Sequence, residues 1–261
     1  MSPMGSGGID LPPFFRLFAF ESLGSSNVEA RRLAEAGEGE GAIVWTHRQE
    51  QGVGRRGRSW SSPAGNLYCS VILRPECGPA EAARLSFLIA LAIRQAVATF
   101  LPPDIPLQLK WPNDVLIDGR KCAGILLESK MGVNGLMDYV IVGTGINITS
   151  YPEKTDGLSA ISLEAAGARV RVEELLSGYA YALLDLYMRW RQHGFGPIHK
   201  EWISHATGIG TQITVRLANE TLEGKFVGLD PSGALVLGLI SGETRLITAG
   251  EVFFPALQGH S

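Results

Sequence analysis

Residues 52–60 read Gly52-Val53-Gly54-Arg55-Arg56-Gly57-Arg58-Ser59-Trp60 and lie between two apolar runs, at 42–46 and 67–73. Both runs have strand length and are rich in β-branched and aromatic residues, which predicts two buried strands. Glycine lets the backbone bend and approach a ligand closely. Arginine presents a planar, charged fork that suits carboxylate and phosphate oxygens. The stretch therefore predicts a loop that joins two strands and folds over an anionic ligand.

Glycine- and arginine-rich stretches also occur in disordered segments that bind RNA through charge alone. The two flanking strands favour a folded site over that alternative. The net charge of −3 on 261 residues also disfavours a general nucleic-acid binder. The basic loop is thus a local feature of a mildly acidic protein.

The composition bounds the class of protein. The chain is 45% hydrophobic and 19% charged, so it can form one large domain, or one domain with a smaller companion. The three cysteines (Cys69, Cys77 and Cys122) show no CxxC spacing, which predicts free thiols in a reducing compartment. No histidine pair has ligand spacing, and neither a secretory signal nor a membrane span is expected. These features predict a cytoplasmic protein.

Around the loop, the sequence predicts an α/β catalytic region. Ser26 and Glu29 have capping-box spacing, which predicts a helix from 26 to about 36 that ends at Gly37. Asp118-Gly119 is a favoured turn pair and predicts a hairpin. The other predicted elements are strands at 14–20, 107–111, 115–117, 122–127 and 139–143, and helices at 81–100, 173–192 and 197–205.

The pattern changes after Gly208. Short runs at 213–217, 222–228, 234–239 and 243–248 alternate with turn signals, which predicts a small β-barrel of about 50 residues. The sequence thus divides into a disordered N-terminal tail at 1–13, a catalytic domain at 14–207 and a C-terminal barrel at 208–261.

Two further motifs carry polar groups at strand ends. One is Lys110-Trp111-Pro112-Asn113-Asp114 with the segment 120–128 after it; alone, Pro-Asn-Asp is ordinary turn chemistry. The other is Gly143-Thr144-Gly145-Ile146-Asn147. It suits either a plain strand end or a flat ligand lying against the backbone, since the phosphate fingerprint needs a third glycine and a helix.

Taken together with Ser25-Ser26-Asn27, these motifs resemble the biotin protein ligase family, in the family's order and approximate spacing from Phe14 onward. Val53 stands where the family usually has arginine, and Ser26 where threonine is common. The resemblance implies an α+β-type mixed sheet with flanking helices and a C-terminal SH3-like barrel. It also implies an ATP-dependent ligase of the type without an N-terminal DNA-binding domain.

The reaction that the resemblance implies has two steps. The biotin carboxylate attacks the α-phosphate of ATP and releases pyrophosphate. A lysine amine on a biotin carboxyl carrier domain of a carboxylase then attacks the biotinyl-adenylate. ATP, Mg²⁺ and biotin are the implied cofactors and substrate, with no DNA or membrane partner, and the sequence leaves monomer and homodimer open.

The resemblance also implies roles for individual residues. Lys121 and Arg55 are the implied catalytic residues. The implied biotin-binding residues are Ser25, Ser26, Asn27, Gln49, Gly52, Val53, Gly54, Arg55, Lys121, Gly143 and Gly145. The implied ATP- or adenylate-binding residues are Arg56, Arg58, Trp60, Asn113, Asp114 and Asn147, and Asp114 is also a candidate for orienting either Mg²⁺ or a lysine.

The charge of Lys121 suits the first step of this reaction. Both reactants of the first step are anions, and a lysine about 4 Å from such an anion contributes roughly 4 kcal/mol at an effective dielectric near 20. Without the flanking motif, Lys121 would be read as a solvated hairpin lysine. Cys122 follows Lys121 on one strand, so it is expected to point away from the site.

Two alternatives remain from the sequence. A lipoate–protein ligase shares the catalytic fold, although the basic loop and the barrel favour biotin. A non-catalytic nucleic-acid module would use the basic loop and would bind with a steep salt dependence.

Overall fold

A computed structural model of the chain describes residues 8–153 and 158–254. Two sheets organise it. The first has strands β1 Arg16–Leu23, β2 Ala42–Gln49, β3 Leu67–Leu73, β4 Leu107–Lys110, β5 Asp114–Ile117, β6 Arg120–Met131 and β7 Met137–Ile146. The second has β8 Gln212–Arg216, β9 Thr221–Leu229, β10 Leu235–Gly238, β11 Thr244–Ile247 and β12 Glu251–Phe253. The helices are α1 Ser26–Glu35, α2 Pro79–Ala83, α3 Leu85–Ala98, α4 Val172–His193 and α5 Phe195–Ser204.

The first sheet is mixed, with strand order β1-β2-β3-β7-β6-β5-β4. β1 and β2 are parallel, joined through α1, and the other neighbouring strands are antiparallel. The glycine–arginine loop connects the neighbours β2 and β3, so it emerges at one end of the sheet. The predicted mixed sheet is confirmed. The predicted hairpin is confirmed as well, and its two turn residues, Asp118 and Gly119, both have left-handed backbone conformation.

The two faces of the sheet are covered differently. The α3 helix is apolar over a wide face and lies with α4 in the main core, because almost every turn of α3 carries a fully buried side chain. On the opposite face, Ala30 and Ala34 of α1 pack on Val44, Ile72 and Ile141. The small alanines bring α1 close to the sheet, which places its N-terminus beside the glycine–arginine loop.

The second sheet is antiparallel, in the order β11-β10-β9-β8-β12. The Trp111 indole N–H donates to the Gly233 carbonyl oxygen at 3.0 Å and thereby ties this sheet to the end of β4. Gly233 has φ 87°, and a Cβ there would lie 2.9 Å from the Phe87 ring. Position 233 therefore requires glycine. Strand β12, which the sequence analysis missed, pairs with β8 and returns the chain toward the first sheet.

Three local predictions need correction. Ser26 and Glu29 form no capping box: Ser25 occupies the N-cap position without a capping side-chain bond. The predicted helix 81–100 is two helices, α2 and α3, which meet at Arg84. Residues 1–7 of the predicted tail lie outside the described residues, whereas Ile9 and Leu11 pack against the core.

Within the described ranges, no helix combines the length and the apolar character needed to cross a bilayer.

Candidate active site

A cavity of about 440 Å³ opens where the glycine–arginine loop, α1, β5–β7 and β12 meet, a volume typical of small-molecule sites. All the site residues predicted from the sequence line it, with the exception of Gly52. Gly52 lies behind the loop, where a Cβ would come 2.4 Å from both Ser62 Oγ and the Trp60 carbonyl oxygen. Its glycine is therefore required by close backbone packing, and its predicted contact with biotin is not supported.

The glycine–arginine loop is an ordered hairpin. Val53 and Ser59 form a β-bridge, and the Gly54 N–H donates to the Arg58 carbonyl oxygen at 2.7 Å. The tip turns through Arg56 (φ 57°) and Gly57 (φ 71°), both in the left-handed region. The loop is therefore folded, as its flanking strands predicted.

Arg55 bridges the loop to the strand-end motif. Its Nη1 donates to Asn113 Oδ1 at 2.8 Å, and Asn113 Nδ2 donates to the Ile125 carbonyl oxygen at 2.6 Å. Burial lowers the pKa of Arg55, while the charge of Asp114 acts in the opposite direction. The Asn113 amide is therefore held by protein groups on both sides, and the arginine is fixed where it lines the cavity.

Two lysines share one buried carboxylate at the cavity floor. Lys121 Nζ lies 2.6 Å from Asp114 Oδ1, and Lys110 Nζ lies 3.7 Å from Asp114 Oδ2. Burial raises the pKa of Asp114, but the charges of Lys121 and Lys110 outweigh it and hold the pKa below its usual value. For Lys110, burial lowers the pKa and Asp114 only partly offsets this.

A β-bulge aims Lys121 into the cavity. Leu116 pairs with Lys121 and Val115 pairs with Ala123, so Cys122 is an extra residue on β6. Cys122 is fully buried, and its thiol lies 3.4 Å from the Val115 carbonyl oxygen. The prediction that Lys121 and Cys122 point to different sides is confirmed.

Trp60 lies across the glycine-bearing strands. A Cβ at Gly145 would be 2.7 Å from its indole nitrogen, and a Cβ at Gly124 would be 3.0 Å from its ring. The Lys121 ammonium lies 5.3 Å from the ring centroid, within cation–π range. The indole N–H is buried and has no partner among the described residues. Trp60 thus covers the wall that Gly145 was predicted to offer to a ligand.

At the other end of the cavity, polar groups surround the start of α1. Gln49 Oε1 accepts from the Ser26 backbone N–H at 2.8 Å, and Gln49 Nε2 donates to Ser62 Oγ at 2.9 Å. Asn27 lies directly over Gly143, where a Cβ would come 2.3 Å from Asn27 Oδ1. The glycine at 143 is therefore needed to admit the asparagine.

The remaining predicted residues sit at the rim or in the wall. Arg58 Nη1 lies 2.7 Å from Glu251 Oε1 on β12, and Arg56 Nη1 lies 4.0 Å from Glu251 Oε2. Asn147 is buried, and its Nδ2 donates to the Ile161 carbonyl oxygen at 3.2 Å. Asn147 thus anchors the segment around Ile161, whereas the two arginines meet a carboxylate where phosphate was expected.

Sequence reasoning missed two charged residues of the site. Lys110 opens the strand-end motif, and its signal was a lysine at the end of a short apolar strand. Glu251 gave no such signal, because its position depends on β12 pairing with β8. Among the described residues, no group of three metal-ligating side chains was found, and both Asp114 oxygens face lysines. These contacts match the predicted alternative in which Asp114 orients a lysine, and its role as a Mg²⁺ ligand stays a prediction.

Two family descriptions match the chain. The Biotin/lipoate A/B protein ligase family matches residues 25–147, and the Biotin protein ligase C terminal domain matches residues 208–254. The chain is 39% identical over 235 residues to a biotin–[acetyl-CoA-carboxylase] ligase of Paracoccus denitrificans, which covers 88% of this chain and 97% of that protein. The chain belongs to the biotin protein ligase family.

The chain is also similar to other members of the biotin protein ligase family. A biotin–[acetyl-CoA-carboxylase] ligase of Mycobacterium tuberculosis is 30% identical over 234 residues, covering 88% of this chain and 85% of that protein. The structure of the Aquifex aeolicus biotin protein ligase in complex with biotin and ATP matches with a TM-score of 0.77 at 28% identity. That match covers 91% of this chain and 97% of the Aquifex chain. The predicted fold class is thereby confirmed.

Proposed function

We propose that this chain activates biotin with ATP as biotinyl-5'-adenylate and transfers the biotinyl group to a lysine of a biotin carboxyl carrier domain. The observation that carries the proposal is the position of Lys121. This lysine lies in a cavity whose walls combine the three motifs, in a chain of the biotin protein ligase family.

In the first step, a biotin carboxylate oxygen forms a bond to the α-phosphorus of ATP and pyrophosphate leaves. Lys121 would lie between the two anions and reduce their repulsion. Asp114 keeps the Lys121 ammonium in place at 2.6 Å. Arg55, already fixed to Asn113, would hold the carboxylate end of biotin.

In the second step, the neutral amine of the carrier lysine attacks the carbonyl carbon of the mixed anhydride. AMP leaves with the bonding electron pair, and the amine loses a proton. No protein nucleophile is needed, since both attacking groups belong to substrates. The protein supplies position and charge.

The nucleotide end of the site would use the rim arginines. Arg56 and Arg58 would exchange Glu251 for phosphate oxygens, which are stronger anionic partners. The adenosine would be faced by Trp60, Asn113 and Asn147. Mg²⁺ would enter with the ATP phosphates, whose oxygens supply most of its ligands in sites of this kind.

The roles of Ser25, Ser26, Asn27, Gln49, Val53, Gly54, Gly143 and Gly145 in biotin binding belong to the same proposal. Ser25 lines the cavity at the N-cap without a capping bond, which leaves its hydroxyl available to a ligand. We also propose a cytoplasmic location, which three buried free thiols support.

Lipoate is the alternative acid substrate, since the matched family includes lipoate ligases. The P. denitrificans and M. tuberculosis relatives are named as biotin ligases, and the C-terminal match is to a biotin ligase domain. These matches favour biotin.

The deciding experiment incubates the purified chain with ATP, Mg²⁺ and either biotin or lipoate. Formation of biotinyl-adenylate, followed by modification of an added carrier domain, is expected. Adenylation of lipoate at a higher kcat/KM than biotin, or of neither acid, would reject the proposal.

A further inference from the structure

Asn66, directly before β3, holds the chain where it leaves the end of β7. Its Oδ1 accepts hydrogen bonds from three consecutive backbone N–H groups, those of Ile148 at 2.8 Å, Thr149 at 3.0 Å and Ser150 at 3.2 Å. Three converging donors require an oxygen at this position, so the direction of the amide is fixed. The Asn66 Nδ2 group then donates to the Ser150 carbonyl oxygen at 2.9 Å. One buried side chain thus satisfies backbone groups that have left the sheet.

The main chain of Lys121 is held by a segment that follows β7 in the sequence. Strand β7 has already ended beside Lys121, because its last residue, Ile146, pairs two residues further along β6. Ala160 takes the place of β7 there, in a parallel bridge with Lys121. The Lys121 N–H donates to the Ser159 carbonyl oxygen at 2.8 Å, and the Ile161 N–H donates to the Lys121 carbonyl oxygen at 3.0 Å. Both backbone groups of the lysine are therefore bonded to this segment.

The clamp segment, residues 159–164, is bonded to the same residues that Asn66 holds. The Glu164 N–H donates to the Ile148 carbonyl oxygen at 2.9 Å, while the Ile148 N–H donates to Asn66. One residue earlier, the Asn147 carbonyl oxygen accepts from the backbone N–H of residue 163 at 2.9 Å. A continuous set of hydrogen bonds therefore leads from Asn66 to the lysine at the cavity floor.

This set of bonds supports one end of the cavity. Asn147, Ala160 and Lys121 line the cavity, and Asn147 belongs to the end proposed for the nucleotide. The start of α1, at the end proposed for the biotin ring, is held instead by Gln49 of β2. A change at Asn66 should therefore act on the nucleotide end and on Lys121, and leave the biotin end in place.

We propose that Asn66 is a positioning residue, which holds the clamp segment and thereby fixes both the main chain of Lys121 and the nucleotide end of the cavity. This inference rests on the proposed function, because it concerns the support of the same site. Asn66 lies outside the lining of the cavity and acts through the backbone of other residues. A small displacement of a reacting group by a distant change can lower a rate by as much as about 100-fold.

The test compares Asn66→Ala and Asn66→Asp with two control variants. Ser150→Ala is the local control, because it removes only the hydroxyl contact to Asn66 at 3.2 Å and keeps the backbone bonds. Asn219→Ala, at an exposed asparagine in the turn between β8 and β9, is the distant control. Biotin-dependent pyrophosphate release at varied ATP gives kcat and the KM for ATP. Calorimetry without ATP gives the Kd for biotin, and melting curves establish a temperature at which every variant is folded.

Asn66→Ala is expected to raise the KM for ATP by about tenfold or more and to lower kcat by about tenfold, while the Kd for biotin stays within about twofold. Asn66→Asp keeps an acceptor for the three N–H groups but places an oxygen against the Ser150 carbonyl oxygen. Its KM for ATP should therefore lie between those of wild type and Asn66→Ala, about threefold above wild type. Both control variants should stay within about twofold of wild type.

Two results would overturn the proposal. Unchanged kcat and KM for ATP in folded Asn66→Ala, even with a lower melting temperature, would show that Asn66 only stabilises the fold. A rise in the Kd for biotin as large as the rise in the KM for ATP would show that the whole site has loosened. If Asn66→Ala does not fold, Asn66→Asp decides by the same criteria. Absence of biotin-dependent pyrophosphate release in wild type would instead reject the proposed function itself, which is a separate outcome.

Discussion

The Lys121 ammonium lies 2.6 Å from Asp114 Oδ1, while Lys110 approaches the other carboxylate oxygen at 3.7 Å. Asp114 therefore carries one negative charge between two positive charges, and the group has a net positive charge at the cavity floor. Lys110 is nearly inaccessible, whereas Lys121 keeps about a quarter of its side chain exposed. Both lysines line the cavity, and Lys121 is the more accessible of the two. Lys121 is therefore the better placed to meet a ligand, and Lys110 adds to the field that attracts anions.

Lys121→Ala should abolish adenylate formation, with a loss of at least about 10³-fold in rate, as for removal of a transition-state charge partner. The fold should persist, because Asp114 still pairs with Lys110. Biotin-dependent pyrophosphate release measures the effect. Lys225→Ala, at an exposed lysine on β9, is the matched control. Pyrophosphate release at the wild-type rate would show that Lys121 is a surface lysine without a catalytic role.

Cys122→Ser should retain most adenylation activity. The thiol points into the core toward the Val115 carbonyl oxygen, and a serine hydroxyl can donate to the same oxygen. Adenylate formation and thermal unfolding are measured together. A loss of more than about tenfold in rate with unchanged stability would contradict the register and the bulge at this position.

Gly143→Ala should raise the Kd for biotin by more than about tenfold. Its Cβ would come 2.3 Å from Asn27 Oδ1, a distance that forces the asparagine out of its place over β7. Displacement breaks the bonds from Asn27 to Ser70 and Glu128. Calorimetry with biotin provides the readout, and Gly24→Ala, where a Cβ would meet nothing within 4 Å, is the control. Equal biotin affinity in the two variants would refute the placement of Asn27.

Some features of the fold and the site could be predicted from the sequence, and others could not. Strands such as 42–46 and 67–73 were predictable because their apolar runs fit only a buried sheet, and the motif residues were predictable because they sit at the ends of such strands. Glu251 was not, because it reaches the loop through a pairing between β12 and β8 that leaves no local pattern. The role of Ser26 was misassigned for a related reason. Gln49, 23 residues away, satisfies the Ser26 N–H and replaces the capping box that the local spacing suggested.

Asp114→Asn should destabilise the fold at pH 7 by about 3 kcal/mol, because it leaves two lysines without their buried counter-ion. In the folded protein the pKa of Asp114 is below its ordinary value of 3.8, so the carboxylate stabilises the fold above pH 3.8. That contribution is lost as the pH falls below 3.8 through the folded-state pKa. Urea unfolding at pH 7 and pH 3 should show the difference between wild type and variant shrinking at the lower pH. A difference that is constant or larger at pH 3 would contradict the assigned ion pair.

Arg55→Gly should weaken retention of the intermediate more than it slows its formation. Arg55 joins the loop to Asn113 at 2.8 Å, and its side chain lines the cavity. Without the side chain, the loop loses both this contact and its charge-assisted bonds to the ligand, and an added glycine makes ordering the loop more costly in entropy. Because retention depends mainly on the off-rate, the mixed anhydride should escape and acylate lysines in solution.

The measurement mixes the variant with ATP, Mg²⁺, biotin and an unrelated lysine-rich protein, then blots for biotin. Arg16→Gly, at an exposed arginine on β1 far from the loop in sequence, is the control. Signal on the bystander protein no higher than with wild type, while pyrophosphate release continues, would reject the retention role of Arg55.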